Sequence, residues 1–216
     1  MKLLRKKKLD LLKIALLMAW VLLVLYPNPG KLAASVYRLK NPPVAPYRVT
    51  ELALPLQGLT PGEIQEFVYA NIPYRYDWEV YNMPWYFPTL DEALYSEYGD
   101  CKARFLLFAS LLEEMEIPYR KNISLTHIWV DYEGKPENRL ENIGETLIIV
   151  DENGRVRLSV PRADLARSSR SLREGFWETM PLDKKWMLLA GFPAVFGIFH
   201  LRQQHISKPP IKLSKD

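Results

Sequence analysis

The side chain best suited to covalent chemistry is Cys101, the only cysteine of the 216-residue chain. It follows Gly99-Asp100 and opens a long apolar run that predicts a helix. A thiol in the first turn of a helix meets unpaired backbone N–H groups and the positive dipole end, which favour the thiolate. The thiolate is the form that attacks carbonyl carbons, so Cys101 is a candidate nucleophile. The alternative is that a single cysteine is a small buried apolar residue.

A possible base for this thiol is His127, which follows 26 residues later in a segment that alternates like a strand. On such a strand His127, Trp129 and Asp131 share one face. An imidazole beside the sulfur would take the thiol proton and leave a thiolate–imidazolium pair. A third polar group should hold the ring in the useful tautomer.

The elements that must position these residues are predicted by their local signals. Capping boxes at Thr60–Glu63 and Thr89–Glu92 each begin a helix, and the helix from Cys101 is apolar on nearly every side. Strand-like segments follow at 119–125, 127–132, 147–150 and 155–160. Helices followed by strands predict an α+β fold, in which a central apolar helix packs on an antiparallel sheet and hydrophobic helices flank it at both termini.

Four motifs in this order resemble the transglutaminase-like fold, over about residues 60–150. They are Pro88-Thr89-x-x-Glu92-Ala93-Leu94, Gly99-Asp100-Cys101, Leu111-Leu112 with Ile117-Pro118-Tyr119-Arg120, and His127-x-Trp129-Val130. The resemblance implies a papain-like Cys-His-Asp core that attacks amide bonds through a thioester. Such proteins include crosslinkers, deamidases, proteases and peptide N-glycanases, so the resemblance does not select the reaction.

The third member of the triad departs from the family pattern, because no Asp occurs in residues 137–143. Glu141 matches the pattern of an apolar residue followed by an acid. Asn142 matches the spacing slightly better, and Asn orients the histidine in papain-like proteases. Asp131 lies only four residues beyond His127 on the same strand, about 13 Å away at about 3.3 Å per residue. Glu141 and Asn142 therefore both stay candidates, and Asp131 ranks below them.

Two uncharged apolar runs near the ends, 14–26 and 186–201, predict attachment to a membrane. The first is interpreted as a signal-anchor; the alternative is a signal peptide cleaved near 33–35. The second has a buried or interfacial helix as its alternative. If both runs span, the basic termini face the cytoplasm and the central domain lies on the extracytoplasmic side.

The chain is thus divided into an anchor at 1–26, an extended Pro-rich linker at 27–49 and a transglutaminase-like domain at 50–162. A helical connector at 163–185, the apolar run at 186–201 and a basic tail at 202–216 follow.

The formal charge of +4 is concentrated towards the two ends, which argues against a nucleic-acid surface. No Gly-rich phosphate loop or metal-ligand spacing occurs, so neither a cofactor nor a metal is predicted. The expected partners are a membrane and an amide substrate in a peptide, a protein or the cell envelope. The rival interpretation is a non-enzymatic membrane scaffold that uses the same domain for binding.

Overall fold

The computed structural model describes residues 2–136, 141, 143–151, 154–160 and 165–207. These residues form two compact units. The end unit comprises residues 1–29 and 181–216, and the central unit comprises residues 30–180.

The helices lie mostly in the first half of the central unit, and the strands follow them. The α-helices are α1 Lys2–Leu25, α2 Pro29–Lys40, α3 Thr50–Ala53, α4 Pro61–Asn71, α5 Asp77–Tyr81, α6 Leu90–Ser96, α7 Cys101–Glu114, α8 Leu165–Leu172 and α9 Leu182–Ser207. One-turn 3-10 helices occur at Pro46–Arg48, Leu54–Leu56 and Ile143–Glu145, and a π-helical segment at Arg173–Glu178. The strands are β1 Arg120–Ile123, β2 Ile128–Asp131, β3 Ile148–Val150 and β4 Val156–Leu158.

The two predicted capping boxes begin helices α4 and α6. The Thr60 N–H donates to Glu63 Oε2 at 2.8 Å, and the Glu63 N–H donates to Thr60 Oγ1 at 3.4 Å. At the start of α6 the corresponding bonds of Thr89 and Glu92 are 2.7 and 3.1 Å long. Because each box satisfies donors that the first turn leaves unpaired, the sequence alone fixes where these helices start.

Helix α7 supplies much of the hydrophobic core of the central unit and packs against β2, an edge strand of the sheet. Leu106, Leu107, Leu111 and Leu112 on this helix are all buried, and α7 contacts α4, α6 and β2. The four strands are antiparallel in the order β2-β1-β3-β4, with Ile123 opposite Ile128 and Ile148. The predicted α+β class and antiparallel sheet are confirmed.

The segment 27–49, expected to be an extended linker, instead contains helix α2 and a 3-10 turn. Pro29 occupies the first helical position, where proline is well tolerated. Helix α2 is bound to the rest of the central unit, because Arg38 Nη1 donates to the Phe87 carbonyl at 2.9 Å and pairs with Glu92 at 3.0 Å. The Ser35 hydroxyl also accepts a bond from the Phe87 N–H at 3.1 Å. The prediction of an extended linker was wrong, since these long-range bonds stabilise a helix.

In the end unit, α1 and α9 pack as an antiparallel pair. The Trp20 indole donates to the Met187 carbonyl at 2.9 Å, and Lys184 Nζ donates to the Val24 carbonyl at 3.0 Å. Trp20 also packs closely on Gly191, where an added Cβ would lie 2.2 Å from the indole Cδ1. The apolar run 186–201 lies within the longer helix α9, which continues through Pro193.

Within the described residues, no helix taken singly is long and apolar enough to cross a bilayer. Residues Lys8–Leu25 and Pro29–Lys40 reach that length and composition only when taken together, as a pair bent by 78°.

Candidate active site

Cys101 is the first residue of α7, as the sequence predicts. Asp100 is the N-cap, and its Oδ1 accepts a bond from the Lys102 N–H at 2.9 Å. The turn before it is held by backbone bonds from Arg75 N–H to the Gly99 carbonyl and from Gly99 N–H to the Pro73 carbonyl, 3.0 and 3.3 Å long. Cys101 is 8% exposed and therefore counts as a buried residue.

His127 lies one residue before β2, at the end of the tight turn that joins β1 to β2. The turn is closed by a bond from the Ser124 N–H to the His127 carbonyl at 2.8 Å and one from the His127 N–H to Ser124 Oγ at 3.1 Å. The imidazole stacks on the Trp129 ring with centroids 5.7 Å apart. These contacts leave the ring few orientations.

The ring of His127 shares one small pocket with Cys101 and Glu141. Its Nε2 is 3.4 Å from Glu141 Oε1. Glu141 is itself fixed by Lys135, whose Nζ lies 2.8 Å from Oε2.

Of the two candidates for the third residue that the structure describes, Glu141 contacts the ring. Asp131 pairs with Arg120 at 3.1 Å. Asn142 lies outside the described residues.

The electrostatics of this group favour a protonated imidazole. Burial lowers the pKa of His127, but the charges of Cys101 and Glu141 and their hydrogen bonds raise it more, to about 10. Burial likewise raises the pKa of Glu141, yet its bonds and charge interactions with His127 and Lys135 bring it below the usual value. At neutral pH the set is therefore an imidazolium beside an ionised carboxylate.

The pocket that contains these residues has a volume of about 50 Å³ and is lined also by Tyr69, Tyr74 and Arg104. It is roughly the size of one or two water molecules at about 30 Å³ each. A larger pocket of about 580 Å³ lies between the far end of α7 and the sheet, beside Glu113 and Tyr119, and contains none of the candidate residues. Cys101, His127 and Glu141 therefore lie together in the smaller pocket.

A buried ion cluster beside the thiol was not predicted from the sequence. It consists of Asp77, Lys102 and Asp100: Lys102 Nζ lies 2.9 Å from Asp77 Oδ2 and also contacts the Asp100 carboxylate. Asp77 Oδ2 further accepts a bond from the Tyr86 N–H at 2.9 Å. Burial, together with the charge of Asp100, raises the pKa of Asp77 to about 7. The cluster ties the N-terminus of α7 to α5.

No set of three or more His, Cys, Asp and Glu side chains suited to a metal ion occurs among the residues that the structure describes. No protein-family model matches this sequence, and a search of curated proteins finds no match.

Proposed function

We propose that the central unit is a transglutaminase-like cysteine enzyme that acts on amide bonds. The observation that carries the proposal is that Cys101, His127 and Glu141 line one pocket, in which His127 Nε2 lies 3.4 Å from Glu141 Oε1. A nucleophile at a helix start, a base beside it and a carboxylate that orients the base are the parts that acyl transfer through a thioester requires.

The reaction begins with a thiolate at Cys101 and an imidazolium at His127. The sulfur attacks the carbonyl carbon of the amide, and the electron pair of the C=O bond moves to the oxygen. The N-terminus of α7 offers backbone N–H groups for this oxyanion. His127 then protonates the departing nitrogen as the C–N bond breaks, which releases an amine or ammonia and leaves a thioester on Cys101.

Water or an amine resolves the thioester. His127 removes a proton from the incoming nucleophile, whose attack on the thioester carbonyl releases the Cys101 thiolate and restores the imidazolium. Glu141 holds the ring and stabilises its positive charge throughout. Glutamate is one methylene longer than the Asp expected for this fold family, and its ion pair with Lys135 at 2.8 Å restrains the longer side chain.

Activity-based labelling tests this function. The wild-type protein and Cys101→Ala are incubated with a thiol-directed acyl probe and with amide substrates from peptides, proteins and cell envelope, and adducts are identified by mass spectrometry. A probe-derived and a substrate-derived acyl adduct on Cys101 of the wild type are expected. If the folded wild type forms neither, the non-enzymatic binding module is favoured instead.

We further propose that the end unit attaches the protein to a membrane, with basic termini in the cytoplasm and the central unit outside. Support comes from large apolar side chains that are at least 50% exposed along α1 and α9: Leu11, Ile14, Met18, Leu23, Leu182, Trp186, Leu189, Phe192, Phe196 and Ile198. Exposed apolar surface of this extent is costly in water.

A cysteine-accessibility experiment tests this arrangement. In the Cys101→Ala background, Tyr95→Cys places a thiol at a site that is 92% exposed in the wild type. A membrane-impermeant maleimide should label it in intact cells as fully as in permeabilised cells. Labelling only after permeabilisation would contradict the proposed orientation.

A further inference from the structure

We propose that Arg104 binds a carboxylate group of the acyl donor, so that the substrate is an amide with an acidic group next to the bond that is cleaved. This inference deepens the proposed function and depends on it. Arg104 lines the same pocket as Cys101 and His127. On α7 it follows Cys101 by three residues, which places both on one face of the helix.

The guanidinium of Arg104 is held by three contacts before any substrate binds. Its Nε donates to the Ile72 carbonyl at 2.9 Å. Its carbon lies 4.6 Å from the centroid of the Tyr69 ring and 5.3 Å from that of Tyr74, both within the range of cation–π attraction. A half-buried arginine held in this way loses little side-chain entropy when it binds a ligand.

The charge of this guanidinium is not neutralised within the part of the chain that the structure describes. No carboxylate there lies within ion-pair distance of Arg104, whereas the other two basic side chains of the pocket, Lys135 and His127, both pair with Glu141. The single bond to Ile72 uses Nε, and the two Nη groups retain their donors. Two parallel N–H donors are the arrangement that binds a carboxylate most strongly.

A purely structural role explains only part of this geometry. Ile72 directly follows helix α4, and an arginine that donates to a carbonyl there stabilises the helix end. That role uses one of the five donors of the guanidinium. It does not account for an unneutralised charge that faces the pocket of the nucleophile.

The position of Arg104 limits where the acidic group lies on the substrate. Three residues along a helix correspond to about 4.5 Å at about 1.5 Å per residue. A carboxylate bound by Arg104 therefore belongs to the residue that carries the scissile carbonyl or to its neighbour. It is either the free carboxylate of a chain terminus or the side chain of an acidic residue.

Alkylation of Cys101 by iodoacetate and iodoacetamide measures this recognition directly, because the two reagents differ in carrying a carboxylate or a neutral amide. In both reactions the sulfur forms a bond to the methylene carbon as iodide leaves. The chain has one cysteine, so the rates report this thiol alone. The ratio of the two rate constants is measured for the wild type, Arg104→Gln and Arg104→Lys.

We expect Arg104→Gln to lower the iodoacetate-to-iodoacetamide ratio about tenfold, which corresponds to about 1.4 kcal/mol, since the variant loses a charge-assisted bond to the carboxylate. The rate with iodoacetamide should change little, and Arg104→Lys should keep part of the preference. The matched control is Arg75→Gln, because Arg75 stacks on Tyr98 at 4.2 Å and is not among the residues that line this pocket. An unchanged ratio in Arg104→Gln would overturn the inference.

Failure of the proposed function gives a different result from failure of this inference. If Cys101 is not activated, both reagents react slowly with the wild type at neutral pH. If Cys101 is activated but Arg104 has no role, both react rapidly and the ratio is the same in all variants. Should Arg104→Gln fail to fold, the ratio in Arg104→Lys decides, since this variant keeps the charge but loses the paired donors.

A protection experiment identifies the source of the carboxylate. Acetyl-Ala-Ala, its C-terminal amide and acetyl-Glu-Ala-amide are each tested for slowing the alkylation of Cys101 by iodoacetamide. Protection by the free acid alone supports a chain-terminal carboxylate, and protection by the Glu peptide supports an acidic side chain. Equal protection by all three, or by none, would overturn the substrate inference.

Discussion

The Nε2 atom of His127 lies 3.4 Å from Oε1 of Glu141, and Lys135 holds the other carboxylate oxygen at 2.8 Å. The histidine therefore contacts a carboxylate that an ion pair with Lys135 holds in place. This contact favours Glu141 as the third member of the proposed site, and the charge of Glu141 helps to raise the pKa of His127.

Replacement of Glu141 by glutamine should lower the pKa of His127 from about 10, because Glu141 is one of the two residues that raise it. The shift is measured from the imidazole NMR resonances of His127 as a function of pH. The matched control is Asp131→Asn, which removes an acid that pairs with Arg120. If the His127 titration in Glu141→Gln coincides with that of the wild type, Glu141 does not act on the ring.

The same substitution should slow formation of the acyl-enzyme by about tenfold or more, since the imidazolium loses its orienting partner. Glutamine keeps the length and shape of the side chain, so packing is preserved. The rate is followed by mass spectrometry of the Cys101 adduct, with Asp131→Asn again as the control. Equal rates in Glu141→Gln and the wild type would contradict a role for Glu141 in catalysis.

The buried ion cluster beside the thiol predicts a specific pH dependence of stability. In the folded state the pKa of Asp77 is about 7, because burial and Asp100 disfavour its charge. An unfolded aspartate has a pKa of about 3.9. Between these values the folded protein keeps a proton that the unfolded chain has lost, so stability from this group falls as the pH rises from about 4 to about 7.

Because asparagine does not titrate, the free energy of unfolding of Asp77→Asn relative to wild type should increase between about pH 5 and about pH 8, by about 1 kcal/mol or more. Urea unfolding at the two pH values measures this difference. In the control Asp91→Asn, which removes an exposed acid paired with Arg48, the difference should stay near zero. If the free energy of unfolding of Asp77→Asn relative to wild type decreased over this pH range, the raised pKa of Asp77 would be contradicted.

Gly99 allows the turn before Cys101 to approach helix α7 closely. A Cβ at this position would lie 2.3 Å from Cβ of Ala103, so Gly99→Ala should lower the free energy of unfolding by about 1–3 kcal/mol. Gly62→Ala is the matched control, since the nearest atom there is Tyr132 Oη at an ordinary 3.6 Å. Alanine at 62, in the first turn of α4, should be neutral or slightly stabilising. Thermal unfolding measures the stability of both variants. Equal stability of Gly99→Ala and Gly62→Ala would contradict this account.

Features with local causes were predictable from the sequence. The two capping boxes, the start of α7 at Cys101 and the four strand segments all depend on neighbouring residues, and the structure contains each of them. Helix α2 was missed because its stability comes from Arg38, which binds Phe87 and Glu92 about fifty residues further along the chain. Local sequence patterns do not predict contacts between residues that are so far apart along the chain.

The sequence reduced the leading candidates for the third site residue to Glu141 and Asn142, but it did not distinguish between them. Glu141 and Asn142 are adjacent, and which of them reaches His127 depends on the path of the chain after β2. The ion pair between Lys135 and Glu141, at 2.8 Å, favours Glu141 over Asn142. This pair could not be predicted from the sequence, because only the folded chain brings the two residues together. Asp77 and Arg104 escaped prediction for the same reason: their partners Lys102 and Ile72 lie 25 and 32 residues away.

The rate of Cys101 alkylation by iodoacetamide at about pH 7, in the wild type and in His127→Ala, tests the central claim most directly. We expect the wild type to react at least about tenfold faster than His127→Ala, because an imidazole beside the sulfur takes the thiol proton and leaves the reactive thiolate. If the folded wild type reacts no faster than His127→Ala, then Cys101 and His127 do not form a nucleophilic pair.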